Sequence, residues 1–208
     1  MSIGFMMTEC NYYQVDMNSE ILLIGPIGSG KTTIAELLYM RTMLPHRSMD
    51  LLRWGYFEEI GYDRHVANEK FHEDGFWGLY RYWKPFEVHA VKRILEDFKE
   101  CVFDFGGSQT VHEDDALFEQ VRRALDPYPH VVLLMPTTDR EESIRLLHAQ
   151  NDYASDEQRV ANELFVHHHS NYDLAKHTVY TDGKSPEETC NEVLKWVRKN
   201  GWTYELQR

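Results

Sequence analysis

Short apolar runs alternate with longer amphipathic stretches along most of this chain. Five runs predict β-strands, at residues 21–24, 46–49, 101–105, 131–135 and 178–180. The run at 131–135, Val-Val-Leu-Leu-Met, is apolar throughout, which is typical of a parallel strand covered on both faces. Helical patterns separate the strands, and such alternation indicates an α/β fold. We therefore predict a parallel sheet of roughly five strands with helices on both sides.

Breakers and capping patterns mark the helix boundaries. The first helix is predicted at residues 33–40, and Pro45 ends its pattern. Residues 51–99 form a long, mostly helical insertion with breaks near Gly61, Gly75 and Pro85. A further helix is expected up to about His169. Capping-box spacing, a Ser or Thr followed three residues later by Glu, opens three other helices, at residues 110–113, 138–141 and 185–188.

The loop between the first strand and the first helix carries the clearest chemical signal. It reads Gly25-Pro-Ile-Gly-Ser-Gly-Lys31-Thr32 and matches the phosphate-binding P-loop pattern G-x-x-x-x-G-K-[ST]. Its backbone N–H groups can surround a phosphate, Lys31 can reach the β- and γ-phosphates, and Thr32 can offer its hydroxyl to Mg²⁺. The N-terminus of the following helix adds the positive end of the helix dipole, which attracts a phosphate. We predict a P-loop NTPase three-layer sandwich that binds ATP and Mg²⁺ through Gly25, Gly28, Ser29, Gly30, Lys31, Thr32 and Thr33.

Composition limits the possible partners and surroundings. At 208 residues the chain fits a single domain, 1–208, with residues 1–18 as an N-terminal extension. Its net charge of −12 argues against nucleic acid and anionic membranes as partners, since both are bound through basic surfaces. The three cysteines, Cys10, Cys101 and Cys190, lack metal-ligand spacing and predict free thiols. Without a signal-peptide pattern or a bilayer-length apolar run, we expect a cytoplasmic monomer or homodimer.

Two segments resemble the shikimate kinase family of P-loop small-molecule kinases. They are the loop G-x-x-G-x-G-K-T-T that begins at Gly25, and the closing segment Tyr-Thr-Asp-Gly-Lys-Ser-Pro-Glu-Glu at residues 180–188. The likeness runs from about residue 21 to residue 198. It implies ATP-dependent transfer of a γ-phosphoryl group to a hydroxyl of a small metabolite. It further implies that residues 51–99 bind this acceptor, that residues 150–165 form a lid, and that residues 182–185 border the adenine.

The resemblance assigns roles to polar residues at the strand ends. Asp50 stands nineteen residues after Lys31, where the family has a carboxylate that contacts the acceptor hydroxyl, although Asp50 also suits a helix N-cap. Asp104 is assigned to Mg²⁺ or the acceptor; the alternative is a buried structural partner. Gly106 and Gly107 are expected to bring bare backbone against the acceptor, or else to form an ordinary turn. Ser48 departs from the family, which has a second acidic residue there.

Phosphoryl transfer needs further positive charge beyond Lys31. By resemblance, Arg145 and Arg159 are expected near the nucleotide as catalytic cations, with pairing on a helix surface as the alternative. Arg81 is expected to bind the acceptor, next to Lys84 in the same segment, and Arg53 and Arg64 are weaker candidates. The family also holds the substrate carboxylate with an arginine before the last strand. This chain has none between residues 160 and 176, which argues against shikimate itself.

Aromatic residues and histidines add two further hypotheses. Eleven aromatic residues fall between residues 54 and 86; they predict a self-packed helical cap, with two or three of them lining a substrate pocket. Consecutive histidines at 167–169 would point about 100° apart on a helix, so we expect no metal site there.

Two rival functions stay open: a nucleoside or nucleotide kinase with a base stacked on the aromatic residues, and a nucleotide-binding regulator or toxin-like kinase acting on a partner.

Overall fold

The computed structural model describes residues 19–203. The predicted extension at residues 1–18, with Cys10, lies outside the described residues. Among the described cysteines, Cys101 and Cys190 are both buried free thiols. No helix within this range is long and apolar enough to cross a bilayer.

The described residues form one sheet of five parallel strands, as the sequence predicted. The strands are β1 (Ile21–Ile24), β2 (His46–Ser48), β3 (Val102–Asp104), β4 (Val131–Met135) and β5 (His177–Tyr180). Their order in the sheet is β2-β3-β1-β4-β5. In the register of the sheet, Asp104 lies beside Leu23 on one side and beside Ser48 on the other. The carboxyl ends of β1, β2 and β3 therefore meet at one edge, where open α/β sheets bind their ligands.

Eight helices connect and cover the strands within residues 19–203. They are α1 (Lys31–Thr42), α2 (Met49–Glu59), α3 (Arg64–Asp97), α4 (Asp115–Leu125), α5 (Arg140–Gln150), α6 (Asp156–His167), α7 (His169–Leu174) and α8 (Pro186–Lys199). The predicted insertion thus consists of α2 and α3, with a turn through Gly61 between them. Helix α3 is kinked at Asp74 and Gly75, close to a predicted break, because Gly75 has a positive φ of 52°.

Alternating side chains of the strands build two cores, one on each face of the sheet. In β1, Leu22 and Ile24 pack with residues of α3, α4 and α7, whereas Ile21 and Leu23 pack with residues of α1 and α8. All four are fully buried, which explains why this strand is apolar at every position. The arrangement is the three-layer sandwich that the sequence predicted.

Three predicted helix boundaries were wrong. Pro85 does not break the chain: it lies inside α3, where the flanking Phe86 and Val88 are held in the core. Thr110 does not cap a helix, because its hydroxyl donates to Asn171 over 2.6 Å; Asp114 caps α4 instead. Likewise α5 is capped by Asp139, whose carboxylate accepts from two backbone N–H groups, and not by Thr138.

Several other boundaries differ from the prediction by one to a few residues. The helix expected to continue to about His169 ends at His167, and the short helix α7 follows after His168, which leaves the helical conformation. Strand β2 ends at Ser48, one residue earlier than predicted, because Met49 already begins α2. The capping box at Ser185 and Glu188 is confirmed, with Pro186 at the first position of α8.

Candidate active site

The P-loop curls between β1 and α1 at the centre of the sheet. Gly28 and Gly30 have φ values of 81° and 93°, a left-handed conformation that side chains with a Cβ rarely adopt. Gly30 is also the N-cap residue of α1 and carries no side chain that could satisfy the first N–H groups of the helix. These N–H donors are therefore available to an anion at the helix N-terminus.

Two side chains of the loop fit a phosphate. The hydroxyl of Ser29 is buried and has no hydrogen-bond partner, so it is available to a ligand oxygen. Lys31 is 7% exposed, and its Nζ donates to the carbonyl oxygens of Gly25 and Pro26 over 2.9 and 2.7 Å. Burial lowers the pKa of Lys31, and the carboxylates of Asp104 and Asp50 oppose that shift. Because both hydrogen-bond partners of Nζ are neutral carbonyl oxygens, no hydrogen-bonded ion pair competes with a phosphate for this side chain.

The residues predicted to hold Mg²⁺ touch each other. Thr32 Oγ1 donates to Asp104 Oδ2 over 2.6 Å, and Nε2 of His46 lies 3.7 Å from the same oxygen. Asp104 is 5% exposed at the end of β3, beside the P-loop. A hydroxyl and a carboxylate next to a phosphate cradle form the oxygen-rich set that Mg²⁺ prefers, so these residues fit the ion.

Helix α6 fastens the P-loop from the side. The side-chain carbonyl of Asn162 accepts from the Ile27 N–H over 2.7 Å, and its amide group donates to the Ile27 carbonyl over 3.1 Å. The same amide group donates to the Tyr153 hydroxyl over 2.9 Å. In the predicted lid, Asn151 lies against Gly28 so closely that a Cβ there would collide with its side chain. Residues 151–162 are therefore in contact with the phosphate cradle.

A cleft of about 250 Å³ opens beside the P-loop, between the ends of β4 and β5 and the start of α8. Its walls include Gly28, Thr33, Asp182, Lys184 and Pro186. The turn expected beside the adenine, at residues 182–185, thus lies at the same cleft as the loop that would hold the phosphates.

Asp50 faces the P-loop from the other side, one residue into α2. It does not cap that helix, because the N-cap residue is Ser48. Its side chain is 53% exposed and forms an ion pair with Arg53, with Oδ1 3.1 Å from Nη1. Burial raises the pKa of Asp50, and the positive charge of Arg53 opposes this shift. The carboxylate is thus open to an incoming molecule and lies within the field of Lys31.

Gly106 lets the chain pass directly over Asp50. A Cβ at this position would lie inside van der Waals contact with the Asp50 carboxylate. The Gly106 N–H donates to Gln109 Oε1 over 2.7 Å, and its carbonyl accepts from the Gln109 N–H over 3.1 Å. Gly106 thus forms a tight turn that brings bare backbone against the Asp50 side chain, and its contact with an acceptor stays a prediction.

A network of charged residues continues from Asp50 into the helical insertion. Arg53 lies 3.9 Å from Glu87, which is 1% exposed. Glu87 accepts from Lys84 Nζ over 2.8 Å and from the hydroxyl of Ser108 over 2.5 Å. Burial raises the pKa of Glu87, but the charge and hydrogen bonds of Lys84 outweigh this effect and hold it below the usual range. Glu87 is therefore a buried carboxylate anion.

The three arginines predicted at the site lie on the surface. Arg81 pairs with Asp74 at the kink of α3. Arg145 pairs with Glu142 in its own helix, and it also feels the charge of Asp182 in the cleft. Arg159 lies 3.6 Å from Asp156 and 3.9 Å from Glu163, so all of its ion pairs are within α6. Their predicted roles stay predictions.

The aromatic residues of the insertion mainly pack on each other. Trp54, Phe57, Tyr62 and Phe86 form neighbouring ring contacts with centroid distances of 5.3–5.9 Å. The histidines at 167–169 are divided between α6, a cap residue and α7, and no cluster of three or more His, Cys, Asp or Glu side chains that could hold a metal ion occurs within residues 19–203.

Sequence reasoning missed two functional candidates in particular. Glu87 is spaced three residues after Lys84, which is an ion-pair spacing on a helix, but nothing in the sequence shows that the pair is buried. Asn162 lies 135 residues from Ile27, and no local pattern links the two.

Comparison with known proteins places the chain in a family. No protein-family model matches it. A shikimate kinase from Streptomyces coelicolor is 30% identical over 183 residues, which cover 85% of this chain and 94% of the relative. This chain belongs to the shikimate kinase family. A second shikimate kinase, from Enterococcus faecalis, is 26% identical over 185 residues, covering 86% of this chain and 98% of the relative.

The fold agrees with that of a solved shikimate kinase. The enzyme from Acinetobacter baumannii in complex with shikimate aligns with a TM-score of 0.59 at 18% identity, covering 88% of this chain and 95% of that one. As a divergent shikimate kinase family member, the protein is an ATP-dependent kinase that uses ATP and Mg²⁺. The P-loop, the Ser29 hydroxyl and the Thr32–Asp104 pair described above fit this requirement.

Proposed function

We propose that this kinase transfers the γ-phosphoryl group of ATP to a hydroxyl of a small metabolite bound at Asp50. The observation that carries the proposal is the position of the Asp50 carboxylate. It is half exposed, lies within the field of the P-loop lysine, and is covered by the bare backbone of Gly106. A carboxylate in this position can accept a hydrogen bond from an alcohol and orient the alcohol oxygen for attack.

The chain's own residues divide the remaining work. ATP supplies the phosphoryl group, and Mg²⁺ neutralises part of its charge. Lys31 would exchange its two carbonyl partners for phosphate oxygens, and Thr32 and Asp104 would hold the metal ion. Asp50 accepts the hydroxyl proton of the acceptor as the acceptor oxygen bonds to the γ-phosphorus and the bond from that phosphorus to the β-phosphate oxygen breaks, which releases ADP. Gly106 and Gly107 border the acceptor, and a larger residue at Gly106 would displace Asp50.

A mobile arginine completes the proposed site. Arg145 and Arg159 are the candidates because they lie on the two helices that flank residues 151–155. Arg145 is already near Asp182 in the cleft. Each would have to release its helix-surface partner to reach a phosphate. Arg81 would likewise have to leave Asp74 before it could bind the acceptor.

The rival hypothesis of a nucleoside or nucleotide kinase requires aromatic rings that are free to stack on a base. Trp54, Phe57, Tyr62 and Phe86 pack on each other, and this packing favours a small-metabolite acceptor over a stacked base. The names of the relatives make shikimate the first acceptor to test.

The proposal predicts distinct defects for two substitutions. Lys31→Ala removes the phosphate-binding charge and should abolish transfer. Asp50→Asn should keep the affinity for ATP–Mg²⁺ within about twofold and lower turnover by about 10²- to 10⁴-fold, the usual contribution of a positioned base. Calorimetry measures the affinity for ATP–Mg²⁺. For transfer, the protein is incubated with labelled ATP and an ultrafiltered metabolite extract, and the release of ADP is measured.

The exposed carboxylate of Asp126, which pairs with Lys176, provides a matched control. Asp126→Asn should leave both measurements unchanged. Normal turnover in Asp50→Asn would overturn the role of Asp50. Transfer of label to protein, with none to small molecules, would instead support the rival of a regulator or toxin-like kinase.

A further inference from the structure

The Thr32–Asp104 pair, which fits Mg²⁺, has a third neighbour in the first residue of β2, His46. Two residues further along β2, Ser48 lies beside Asp104 in the register of the sheet. Because side chains alternate along a strand, His46 points to the same face of the sheet as Ser48 and Asp104. His46 therefore approaches the carboxylate from the neighbouring strand, whereas Thr32 approaches it from α1.

The imidazole of His46 faces one oxygen of this carboxylate. Its Nε2 lies 3.7 Å from Asp104 Oδ2, the same oxygen that accepts from Thr32 Oγ1 over 2.6 Å. Nε2 is buried and forms no hydrogen bond within the described residues. Buried polar atoms normally have a partner, because an unsatisfied one has lost its water without compensation. A shift of less than about 1 Å would bring Nε2 within hydrogen-bond distance of Oδ2.

The second oxygen of Asp104 stays free of such contacts. No hydrogen bond or ion pair reaches Oδ1 from the part of the chain that the structure describes. A hydroxyl group can donate its hydrogen and still accept through its lone pairs, so Thr32 can donate to Oδ2 while its oxygen is offered to a metal ion. Asp104 is thus held through Oδ2, which leaves Oδ1 available to the ion or to its bound water.

From this arrangement we propose that His46 is a positioning residue for Mg²⁺, which holds Oδ2 of Asp104 so that the carboxylate stays turned towards the metal site. A carboxylate with one partner can rotate about that contact, and a second partner from β2 opposes the rotation. Removal of a side chain that orients a metal ligand lowers metal affinity by about 10- to 100-fold. The inference concerns the nucleotide side of the site and does not depend on the identity of the acceptor.

The experiment compares nucleotide affinity with and without the metal ion. Calorimetry gives Kd for ATP with Mg²⁺ and Kd for ATP with EDTA, and the ratio of the two is the contribution of the metal ion. His46→Leu removes the ring nitrogen but keeps a side chain that fills space in the strand. We expect Kd with Mg²⁺ to rise about tenfold and Kd with EDTA to change by less than about twofold.

Two further variants serve as rescue and control. His46→Gln carries an amide N–H that can reach Oδ2, so the contribution of the metal ion should return to within about threefold of the wild-type value. Arg47 is the next residue of β2 and points to the opposite face, where its guanidinium carbon lies 4.8 Å from the Phe98 ring centroid. Arg47→Ala should therefore leave both dissociation constants unchanged.

Three results would overturn the inference. An equal loss of affinity with Mg²⁺ and with EDTA would mean that His46 supports the loop and not the metal site. An unchanged contribution of the metal ion in folded His46→Leu would remove His46 from the site. A His46→Gln protein as defective as His46→Leu would mean that the imidazole itself is required, as it would be for a direct metal ligand.

A second variant covers the case in which His46→Leu does not fold. His46→Asn keeps a polar side chain, but its amide nitrogen ends one bond short of the position of Nε2. We expect the same tenfold rise in Kd with Mg²⁺ as in His46→Leu, with Kd in EDTA again within about twofold of the wild-type value. Wild-type values for both constants in His46→Asn would overturn the inference.

Discussion

At the scale of single residues, the need for glycine at Gly106 comes from space and not from backbone conformation. Gly106 is not among the glycines with positive φ, unlike Gly28 and Gly30 in the P-loop. A Cβ at Gly106 would come inside van der Waals contact with the Asp50 carboxylate, so a side chain there requires Asp50 to move. Glycine therefore meets a different need on each side of the site: a positive φ at Gly28 and Gly30 in the P-loop, and lack of a side chain at Gly106 beside Asp50.

Gly106→Ala should disturb the acceptor side of the site and spare the nucleotide side. The added methyl group displaces the Asp50 carboxylate, and a displacement of about 1 Å at a reacting group costs about 10²-fold in rate. We expect turnover to fall by about this factor while the affinity for ATP–Mg²⁺ stays within about twofold. Steady-state kinetics and calorimetry measure the two effects.

Gly55→Ala is the matched control for this substitution. Gly55 lies inside α2, and no atom lies within 4 Å of a Cβ added there. Turnover should be unchanged, and the free energy of unfolding should rise by about 0.5 to 1 kcal/mol, because alanine loses less conformational freedom in a helix. A Gly106→Ala protein as active as wild type would mean that Asp50 has room to move without consequence.

At the scale of elements, the P-loop depends on a helix that follows it by more than a hundred residues. Asn162 in α6 satisfies both the N–H and the carbonyl of Ile27, in the middle of the loop. Asn162 is 1% exposed and Ile27 is partly buried, so these hydrogen bonds are partly shielded from water. The segment predicted as a lid thus also supports the shape of the phosphate cradle.

Asn162→Ala should weaken both the fold and the binding of nucleotide. It leaves the partly buried N–H and carbonyl of Ile27 without their partner, which costs about 1 to 3 kcal/mol. We expect KM for ATP to rise by about 2- to 12-fold, the equivalent of about 0.5 to 1.5 kcal/mol, if half of this cost falls on the loop conformation that binds phosphate.

Tyr153→Phe provides a graded comparison. It removes only the hydroxyl that accepts from Asn162 and leaves the bonds to Ile27. KM for ATP should change by less than about twofold, since the loop keeps its direct support. If the two substitutions raise KM for ATP equally, the contact of Asn162 with Tyr153, and not its bonds to Ile27, supports the conformation of the P-loop.

At the scale of the whole molecule, the fold holds a neutral histidine in its interior. His112 is 1% exposed, and its Nε2 lies 3.1 Å from the Gln109 carbonyl, while its Nδ1 has no partner within the described residues. Burial lowers its pKa from 6.5 to about 4. The unfolded chain therefore binds this proton at a higher pH than the folded protein does.

This difference predicts a loss of stability in mild acid. The contribution of His112 is complete above about pH 6.5 and is lost as the pH falls towards 4, because protonation there favours the unfolded chain. Between pH 7.5 and 5.0 the free energy of unfolding should fall by about 2 kcal/mol on account of this residue. Denaturant titrations at the two pH values measure the difference.

His112→Gln should reduce this pH-dependent fall in the free energy of unfolding by about 2 kcal/mol, since glutamine can donate to the Gln109 carbonyl but does not titrate. His72→Gln, at an exposed position of α3, is the control and should leave the fall unchanged. If wild type and His112→Gln lose stability equally between the two pH values, the acid sensitivity arises elsewhere.

The sequence alone determined the elements whose signals are local. The apolar run at 131–135, the P-loop and the capping box at Ser185 each depend on residues within one turn or strand, so they could be read without the fold. The parallel α/β class followed from the alternation of these elements. Where two local signals competed, the prediction was wrong: Asp139 and not Thr138 accepts the capping hydrogen bonds of α5, and α3 continues through Pro85 next to core residues.

Only the tertiary structure decided which residues of distant segments meet. The strand order brings the ends of β1, β2 and β3 to one edge, and this places Asp104 against Thr32 and Asp50 beside Lys31. The support of Ile27 by Asn162 and the burial of the Lys84–Glu87 pair are equally non-local. Whether a charged side chain is buried, and next to which partner, depends on the assembled fold and cannot be seen in one segment of the sequence.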